Sequence, residues 1–151
     1  MAKRNQTAQE RNCDIFPGRQ VLLVNEDRDD LHHYGAILQG YGFHVWGCES
    51  YEEGARLLDS ERFDFIIVSQ GGPNFEGRCI VEHANQIDRR LPVLVMARSL
   101  EMPCYLEAMQ LGAVDYLAEP VNLQELGRTV ETHLRPRVSE PQGRRAEQAA
   151  C

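Results

Sequence analysis

Four short apolar runs in the chain end at residues whose side chains could take part in chemistry. The run ends are Asn25-Glu26-Asp27, Ser69-Gln70, Ala97-Arg98 and Glu119-Pro120. The carboxylates of Glu26, Asp27 and Glu119 could together hold a divalent cation, and the Ser69 hydroxyl could accept a transferred group. The simpler interpretation is that the carboxylates are solvated and that Ser69 is a small polar residue at a strand end. We favour the simpler interpretation at each position.

The turn after the first run excludes a phosphate-binding loop. Loops that hold nucleotide phosphates are rich in glycine and present backbone N–H groups, whereas residues 25–27 are acidic and repel a phosphate. Dinucleotide-binding and P-loop proteins are therefore excluded, and flavin binding is disfavoured. No Ser-His-Asp or Cys-His arrangement indicates an enzyme. We predict that the protein is not an enzyme and has no cofactor, and a cofactor-binding protein on the same fold stays open as an alternative.

The elements that must position these residues alternate along the chain. Runs 21–24, 63–68 and 92–96 are almost wholly apolar, as buried parallel strands are, whereas run 43–46 alternates and suits an edge strand. A fifth run covers 113–117, and amphipathic stretches with helical spacing separate the runs. The pattern predicts an α/β fold of the flavodoxin-like (βα)5 type, a doubly wound parallel five-stranded sheet in three α/β/α layers.

One domain is predicted over residues 19–134, between disordered tails at 1–18 and 135–151 that are polar. The 151 residues carry 16 Lys+Arg against 23 Asp+Glu, a net charge of −7 that disfavours nucleic acid and anionic membranes as partners. No apolar run has the length of a membrane span, and the N-terminus lacks the apolar stretch of a signal peptide.

The cysteines and two histidines are predicted to have no chemical role. The five cysteines are widely spaced and have no metal-site spacing, which favours free thiols in a reducing, cytoplasmic location. Cys48 and Cys79 are predicted to lie in or near the core, since a free cysteine behaves as a small apolar residue. His32 and His33 are predicted to be solvated on the first helix.

Three blocks of the sequence resemble a known family. They are residues 21–31 (VLLVNEDRDDL), residues 63–68 with 73–77 (FDFIIV and PNFEG), and residues 111–120 (LGAVDYLAEP). These blocks are similar, at the same mutual spacing, to parts of the receiver domain of bacterial two-component response regulators. The resemblance extends over residues 20–134. It implies the same fold and a role in two-component (phosphorelay) signalling.

The resemblance identifies which residues occupy the family's reactive positions. In the family a phosphoryl group is transferred to an aspartate after the third strand, an acidic pair holds Mg²⁺, and a Thr or Ser and a Lys contact the phosphate. The matching positions are Asn25 and Glu26 for the acidic pair, Ser69 for the aspartate, Ala97 for the hydroxyl and Glu119 for the lysine. Tyr116 and Pro120 match the family's aromatic residue and proline.

These replacements predict a degenerate, aspartate-less receiver. An unactivated serine hydroxyl is a weak nucleophile, and Glu26 beside a neutral Asn25 makes a weak Mg²⁺ site that we expect to be unoccupied. Glu119 adds negative charge where a phosphoryl group needs positive charge, and like charges about 4 Å apart cost about 4 kcal/mol in a partly screened site. Arg98 could pair with Glu119 and replace the lysine, and we leave that pairing open.

The predicted function is signalling by protein contact that does not depend on phosphorylation. Since no output domain follows residue 134, we expect a stand-alone module that binds protein partners. The predicted contact face comprises the fourth helix, fifth strand and fifth helix, includes Tyr105, Tyr116 and Pro120, and could also form a homodimer. We expect a fixed orientation for Tyr116, because Ala97 offers it no hydroxyl. A non-standard receiver that accepts phosphate on Ser69 stays open as an alternative.

Overall fold

The computed structural model describes residues 18–134, in which five strands alternate with five helices. The strands are β1 (Gln20–Val24), β2 (His44–Cys48), β3 (Phe65–Ser69), β4 (Val93–Ala97) and β5 (Asp115–Ala118). The helices are α1 (Arg28–Gly40), α2 (Tyr51–Ser60), α3 (Arg78–Ile87), α4 (Met102–Gln110) and α5 (Leu123–His133). The tails that the sequence predicts to be disordered lie outside the described residues, apart from Gly18 at the edge of the first.

The strands form one parallel sheet in the order β2-β1-β3-β4-β5. This order confirms the predicted flavodoxin-like sheet and puts β2 at an edge, as its alternating pattern indicates. The chain reverses direction across the sheet between β1 and β3, and ligand sites in such sheets lie at that reversal, beyond the carboxyl ends of the strands.

Both faces of the sheet are covered, which confirms the three layers. Successive residues of a strand point to opposite faces, so Leu22 and Val24 belong to one core cluster while Val21 and Leu23 belong to the other. Helices α2, α3 and α4 cover the first cluster, and α1 and α5 cover the second. Among helices within residues 18–134, none is long and apolar enough to cross a membrane.

Side-chain hydrogen bonds cap the starts of α2 and α5. The Ser50 hydroxyl accepts a hydrogen bond from the backbone N–H of Glu53 at 3.0 Å, and the Asn122 side chain accepts one from Glu125 at 2.8 Å. The predicted start of the third strand at Phe63 is wrong, because β3 begins at Phe65. The Asp64 side chain accepts a hydrogen bond from the Gln20 N–H at 2.8 Å, so it binds the first residue of β1.

Of the two cysteines predicted to be in the core, only Cys48 is buried. Burial raises the pKa of its thiol to about 12, so it is a protonated apolar group. The prediction for Cys79 is wrong, since Cys79 is exposed. It lies in the first turn of α3, whose core side is formed by Ile80, Val81 and Ala84. His32 and His33 are exposed on α1, as predicted.

Candidate functional site

Four of the predicted site residues come together at one edge of the sheet. Asn25 follows β1, Ser69 and Ala97 end β3 and β4, and Glu119 follows β5. These strands are adjacent and parallel, and the β4–β5 ladder pairs Ala97 with Ala118. The carboxyl ends of the four strands therefore lie together at one edge of the sheet, as their order in the sheet requires.

The acidic turn after β1 uses its polar groups to hold its own backbone. The Asn25 side chain is 3% exposed, and its amide oxygen accepts a hydrogen bond from the Asp27 N–H at 2.9 Å. The Asn25 N–H donates to the Cys48 carbonyl at 3.1 Å. Glu26, the predicted weak metal ligand, is exposed. The two residues at the positions of the family's acidic pair thus lie in different environments, one buried and one in solvent.

Ser69 is half-buried and is held by the loop that follows it. Its hydroxyl accepts a hydrogen bond from the Gly71 N–H at 3.2 Å, and its carbonyl accepts one from the Tyr51 hydroxyl at 3.0 Å. Burial raises the pKa of Tyr51 to about 12, so this phenol stays a donor. A Cβ atom on Gly77 would overlap the Ser69 carbonyl oxygen, which explains the glycine at that position.

Arg98 supplies positive charge to the site. It directly follows Ala97, the position at which the family has its hydroxyl residue. Its guanidinium donates to the carboxylates of Asp27 and Asp30, the latter at 2.9 Å. The Arg98 hydrogen bond is the first cause of a lowered pKa at Asp27. Asp27 also caps α1 through the N–H groups of Asp29 and Asp30. Arg98 thereby ties the end of β4 to the start of α1.

Arg98 does not form the ion pair with Glu119 that the sequence left open. Arg98 makes its hydrogen bonds to the two aspartates and acts on Glu119 only through its charge. The carboxylates of the N-cap residue Asp27 and of Asp30 in the first turn of α1 both accept from the guanidinium, and each of these is a charge-assisted hydrogen bond.

Glu119 is half-buried, and its carboxyl group has a pKa that is raised into the neutral range. Burial is the first cause that raises its pKa to about 7, and the negative charge of Asp30 and a hydrogen bond between the two carboxyl groups add to it. Two carboxyl groups can share a hydrogen bond only when one of them is protonated. The position of the family's lysine is therefore occupied by a neutral or negative group.

The donors at this site do not fit a Mg²⁺ ion. The Asn25 amide oxygen is already a hydrogen-bond acceptor, Ser69 replaces a carboxylate, and Arg98 neutralises Asp27. Mg²⁺ requires an octahedral set of oxygen ligands that includes one or more carboxylates. Across residues 18–134, no group of three or more His, Cys, Asp or Glu side chains is placed to hold a metal ion.

Ala97 is 1% exposed and ends β4 beside a buried aromatic ring. Tyr116 is 6% exposed, and its hydroxyl donates to the Gln70 side chain while accepting from the Glu101 N–H at 3.3 Å. The ring of Tyr105 meets that of Tyr116 edge-on, with centroids 5.6 Å apart. Tyr116 therefore points inward in this structure. Pro120 follows Glu119 and is exposed.

An apolar stripe is exposed along α4. Its residues recur at the spacing of one helix face and continue the exposed Leu100 that precedes the helix. We call this set the α4 surface: Leu100, Met102, Tyr105, Leu106 and Met109, which are 63%, 65%, 37%, 51% and 36% exposed. Helical spacing in the sequence predicts Tyr105, Leu106 and Met109 as the apolar face by which this helix packs on the core. That prediction is wrong, because the buried residues of α4 are Cys104 and Ala108.

Three further residues of the site were missed by sequence reasoning. Asp30 shares Arg98 with Asp27, Tyr51 binds the Ser69 carbonyl, and Gln70 binds Tyr116. Two of them had a sequence signal. Asp30 lies three positions after Asp27 and so on the same side of the helix start, and Gln70 stands at the end of the third apolar run.

Comparison with known proteins gives a consistent result. The sequence model of the response regulator receiver domain matches residues 21–131. The transcriptional regulatory protein ZraR of Escherichia coli (strain K12) is 25% identical over 114 residues, which cover 76% of this chain and 26% of ZraR. The two-component response regulator ARR11 of Arabidopsis thaliana is 30% identical over 111 residues, which cover 72% of this chain and 21% of ARR11.

The chain thus spans about a quarter of the length of these curated relatives. Among solved structures, a CheY-like response regulator receiver domain protein from Methanospirillum hungatei JF-1 has the same fold. Its TM-score is 0.72 at 21% identity, and the match covers 76% of this chain and 92% of that one.

Proposed function

The chain belongs to the response regulator receiver domain family of two-component systems, and from that premise we propose that it signals by protein contact without being phosphorylated. In this proposal it is a degenerate receiver and not an enzyme. The contact takes place in the cytoplasm, a location that the free thiols of Cys48, Cys79 and Cys104 favour.

The observation that carries the proposal is the charge distribution around Ser69. The Arg98 guanidinium is bound to Asp27 and Asp30, and the position of the family's lysine holds the Glu119 carboxyl group. A phosphoryl group on Ser69 would need positive charge beside it. This site offers a carboxyl group there instead.

The chemistry of the acceptor supports the same conclusion. A serine hydroxyl needs a base to become a good nucleophile, and the Ser69 hydroxyl is hydrogen-bonded to the backbone N–H of Gly71. Since the oxygen donors do not fit Mg²⁺, we propose that the domain needs no divalent cation. Arg98 then takes over the stabilising role of a cation for the carboxylates at the start of α1.

The α4 surface supports the protein-contact part of the proposal. Exposed apolar residues that adjoin one another commonly mark a binding site for another protein. The net charge of −7 disfavours nucleic acid as the partner. We propose that a protein partner with an apolar, helix-sized groove or face binds here, next to Tyr116 and β5. A second copy of this chain is an alternative occupant of the α4 surface. Measurement of the oligomeric state distinguishes this self-association from binding of a different protein.

Exposure to a small phosphodonor tests the first part of the proposal. The full chain is incubated with acetyl phosphate and Mg²⁺, and its intact mass is measured beside that of Ser69→Ala and of a receiver domain that retains the acceptor aspartate. We expect the mass of one phosphoryl group to be added to the aspartate-containing domain only. A stoichiometric adduct on the wild-type chain that is absent from Ser69→Ala would overturn the proposal.

A further inference from the structure

The β2 strand forms an edge of the sheet that is open to further pairing. Within residues 18–134 its one neighbouring strand is β1. The His44 N–H and the Cys48 carbonyl bond to the residues that flank β1, at 2.9 Å and 3.1 Å. Since consecutive residues of a strand direct their main-chain groups to alternate sides, the N–H and carbonyl groups of Val45 and Gly47 point away from β1.

This edge lacks the features that keep most edge strands from pairing. Edge strands are usually protected by a charged side chain, a proline or a bulge, because a row of open N–H and carbonyl groups is a template for another strand. The β2 sequence, HVWGC, contains no Asp, Glu, Lys, Arg or Pro, and its register with β1 is unbroken. The strand at the opposite edge, β5, carries Asp115. β2 is therefore the edge that a further strand can extend.

Aromatic rings lie on one side of the β2 edge. The exposed His44 ring meets the Trp46 ring edge-on with centroids 5.6 Å apart, and Trp46 meets Phe63 at 6.0 Å. Trp46 is half-buried, and its indole N–H donates to Gln20 Oε1 at 2.6 Å. Since its one polar group already has a partner, further burial of the ring costs no hydrogen bond. The edge thus offers apolar surface together with main-chain hydrogen bonds.

A second copy of the chain fits this edge because the edge is complementary to itself. Two copies related by a two-fold axis normal to the sheet bring their β2 strands together antiparallel. In the register centred on Trp46, Val45 of each copy lies opposite Gly47 of the other, and each such pair exchanges both of its main-chain hydrogen bonds. Trp46 then lies opposite Trp46 on the aromatic side, and the Val45 side chain meets a residue that has none.

The charges near the edge are compatible with a second copy. Glu49 directly follows β2, three positions after Trp46, and Arg28 forms an ion pair with it at 3.0 Å. In the antiparallel pair the two Glu49 residues are about 20 Å apart along the strands. Since the screening length is about 8 Å at physiological salt, they repel each other little, although the whole chain is acidic.

We propose that β2 is a self-association site, at which two copies of the chain pair antiparallel through Val45 and Gly47 and join their two sheets into one. The α4 surface lies beside β5, at the other edge of the sheet. The inference therefore goes beyond the proposed function, since it assigns a second contact site and does not occupy the first.

Amide hydrogen exchange, measured residue by residue by NMR on the full chain, tests the proposal without any substitution. We expect the Val45 and Gly47 amides to exchange at least about tenfold slower at about 1 mM chain than at about 50 μM. The His44 amide is the internal control, because its hydrogen bond lies within the chain and should protect it at both concentrations. Val45 and Gly47 rates that do not change with concentration would overturn the proposal.

The single tryptophan of the chain gives a second readout of the same site. Trp46 emission should move to shorter wavelength over the concentration range in which sedimentation equilibrium shows the mass doubling, because pairing removes the ring from water. A dimer that forms without a change in Trp46 emission uses another surface, and that result would also overturn the proposal.

Gly47→Lys adds a side chain and a charge where Val45 of the second copy packs. A Cβ at this position lies 3.3 Å from the end of the Leu31 side chain, which can move aside. We expect the dimer to weaken at least about tenfold. Gln86→Lys, at an exposed position of α3, is the control for the added charge and should leave the dimer unchanged.

Leu106→Glu, on the α4 surface, separates this inference from the proposed function. It should leave the β2 dimer unchanged, whatever it does to binding of a different protein. A dimer that weakens in Leu106→Glu and not in Gly47→Lys would overturn the inference and place the second copy on the α4 surface. The exchange measurement on the wild-type chain decides the matter if Gly47→Lys does not fold.

Discussion

The guanidinium of Arg98 lies 2.9 Å from the carboxylate of Asp30, a residue 68 positions earlier in the chain. The same guanidinium binds Asp27, which caps the helix that Asp30 belongs to. The pair joins the end of β4 to the start of α1 across the edge of the sheet. It means that the acidic turn of this receiver has a positive partner within its own chain.

Removal of Arg98 should destabilise the protein in a salt-dependent way. Arg98→Met leaves Asp27, Asp30 and Glu119 without a neutralising charge, so mutual repulsion lowers the free energy of unfolding. We expect a larger loss at about 0.01 M than at about 1 M ionic strength, because the screening length falls from about 30 Å to about 3 Å. Urea unfolding at both salt concentrations measures this loss in the free energy of unfolding. Arg90→Met, at an exposed arginine whose ion pair with Asp88 is 4.0 Å long, is the control and should show little change. Equal losses at both salt concentrations would contradict the electrostatic explanation.

Glu119 should make the stability depend on pH in the neutral range. Its pKa is raised from 4.5 to about 7, so folding favours the protonated form. That contribution is fully present below pH 4.5 and is lost as the pH rises through about 7. Glu119→Gln should remove this pH-dependent loss of stability. We expect the loss to be about 1–2 kcal/mol, less than the full pKa shift would give, because solvent screens this partly exposed group.

The measurement for Glu119 is a series of urea unfolding curves from about pH 5 to about pH 8, a range that brackets the titration. The difference between wild type and Glu119→Gln isolates this carboxyl group, since the two proteins share every other titratable group. Glu131→Gln, at an exposed position of α5, is the control and should run parallel to wild type. A Glu119→Gln curve that also runs parallel to wild type would refute the assignment.

Gly77 should not tolerate a methyl group. A Cβ at this position would overlap the backbone carbonyl of Ser69, which cannot rotate away as a side chain can. We expect Gly77→Ala to lower the free energy of unfolding by about 1–3 kcal/mol, the usual cost of overpacking. Gly40→Ala is the matched control, because nothing lies within 4 Å of its Cβ position. That variant should be neutral or slightly more stable, and chemical unfolding of both separates steric overlap from a general effect of glycine replacement.

A charge on the α4 surface should weaken partner binding without unfolding the protein. Leu106→Glu places a carboxylate at a position of α4 that is 51% exposed. Ile87→Glu, at a position of α3 that is 48% exposed, is the matched control. For a partner captured with the full chain, Leu106→Glu should weaken binding at least about tenfold, which is about 1.4 kcal/mol, and Ile87→Glu should not. Sedimentation equilibrium on the same variants reports whether the occupant is a second copy. If both variants bind like wild type, the α4 surface is not the contact site.

The fold could be predicted because its signals are local. Continuous apolar runs indicate strands covered on both faces, helical spacing indicates the helices between them, and Ser50 and Asn122 mark two helix starts. The strand boundaries were less accurate. Phe63 is of a type common in strands, but β3 begins only at Phe65, where its pairing with Val21 of β1 starts.

The location of the site could also be predicted, but its internal contacts could not. Residues after parallel strands must meet at one edge, so Asn25, Ser69, Ala97 and Glu119 were bound to come together. Which side chains would bind one another there depends on helix direction and on rotamers, which no spacing encodes. Arg98 was within reach of Glu119 and of two aspartates, and the orientation of the first turn of α1 decided in favour of the aspartates.

The sequence by itself determined the parallel α/β architecture and the residue types at the reactive positions, because periodicity and side-chain chemistry are properties of short segments. Only the tertiary structure decided that Arg98 binds Asp27 and that Gln70 binds Tyr116. These partners are 71 and 46 positions apart, and each bond crosses one intervening strand of the sheet, β3 in the first case and β4 in the second. Cys79 shows the same dependence at a single residue: its composition favours the core, but the rotation of α3 leaves it in solvent.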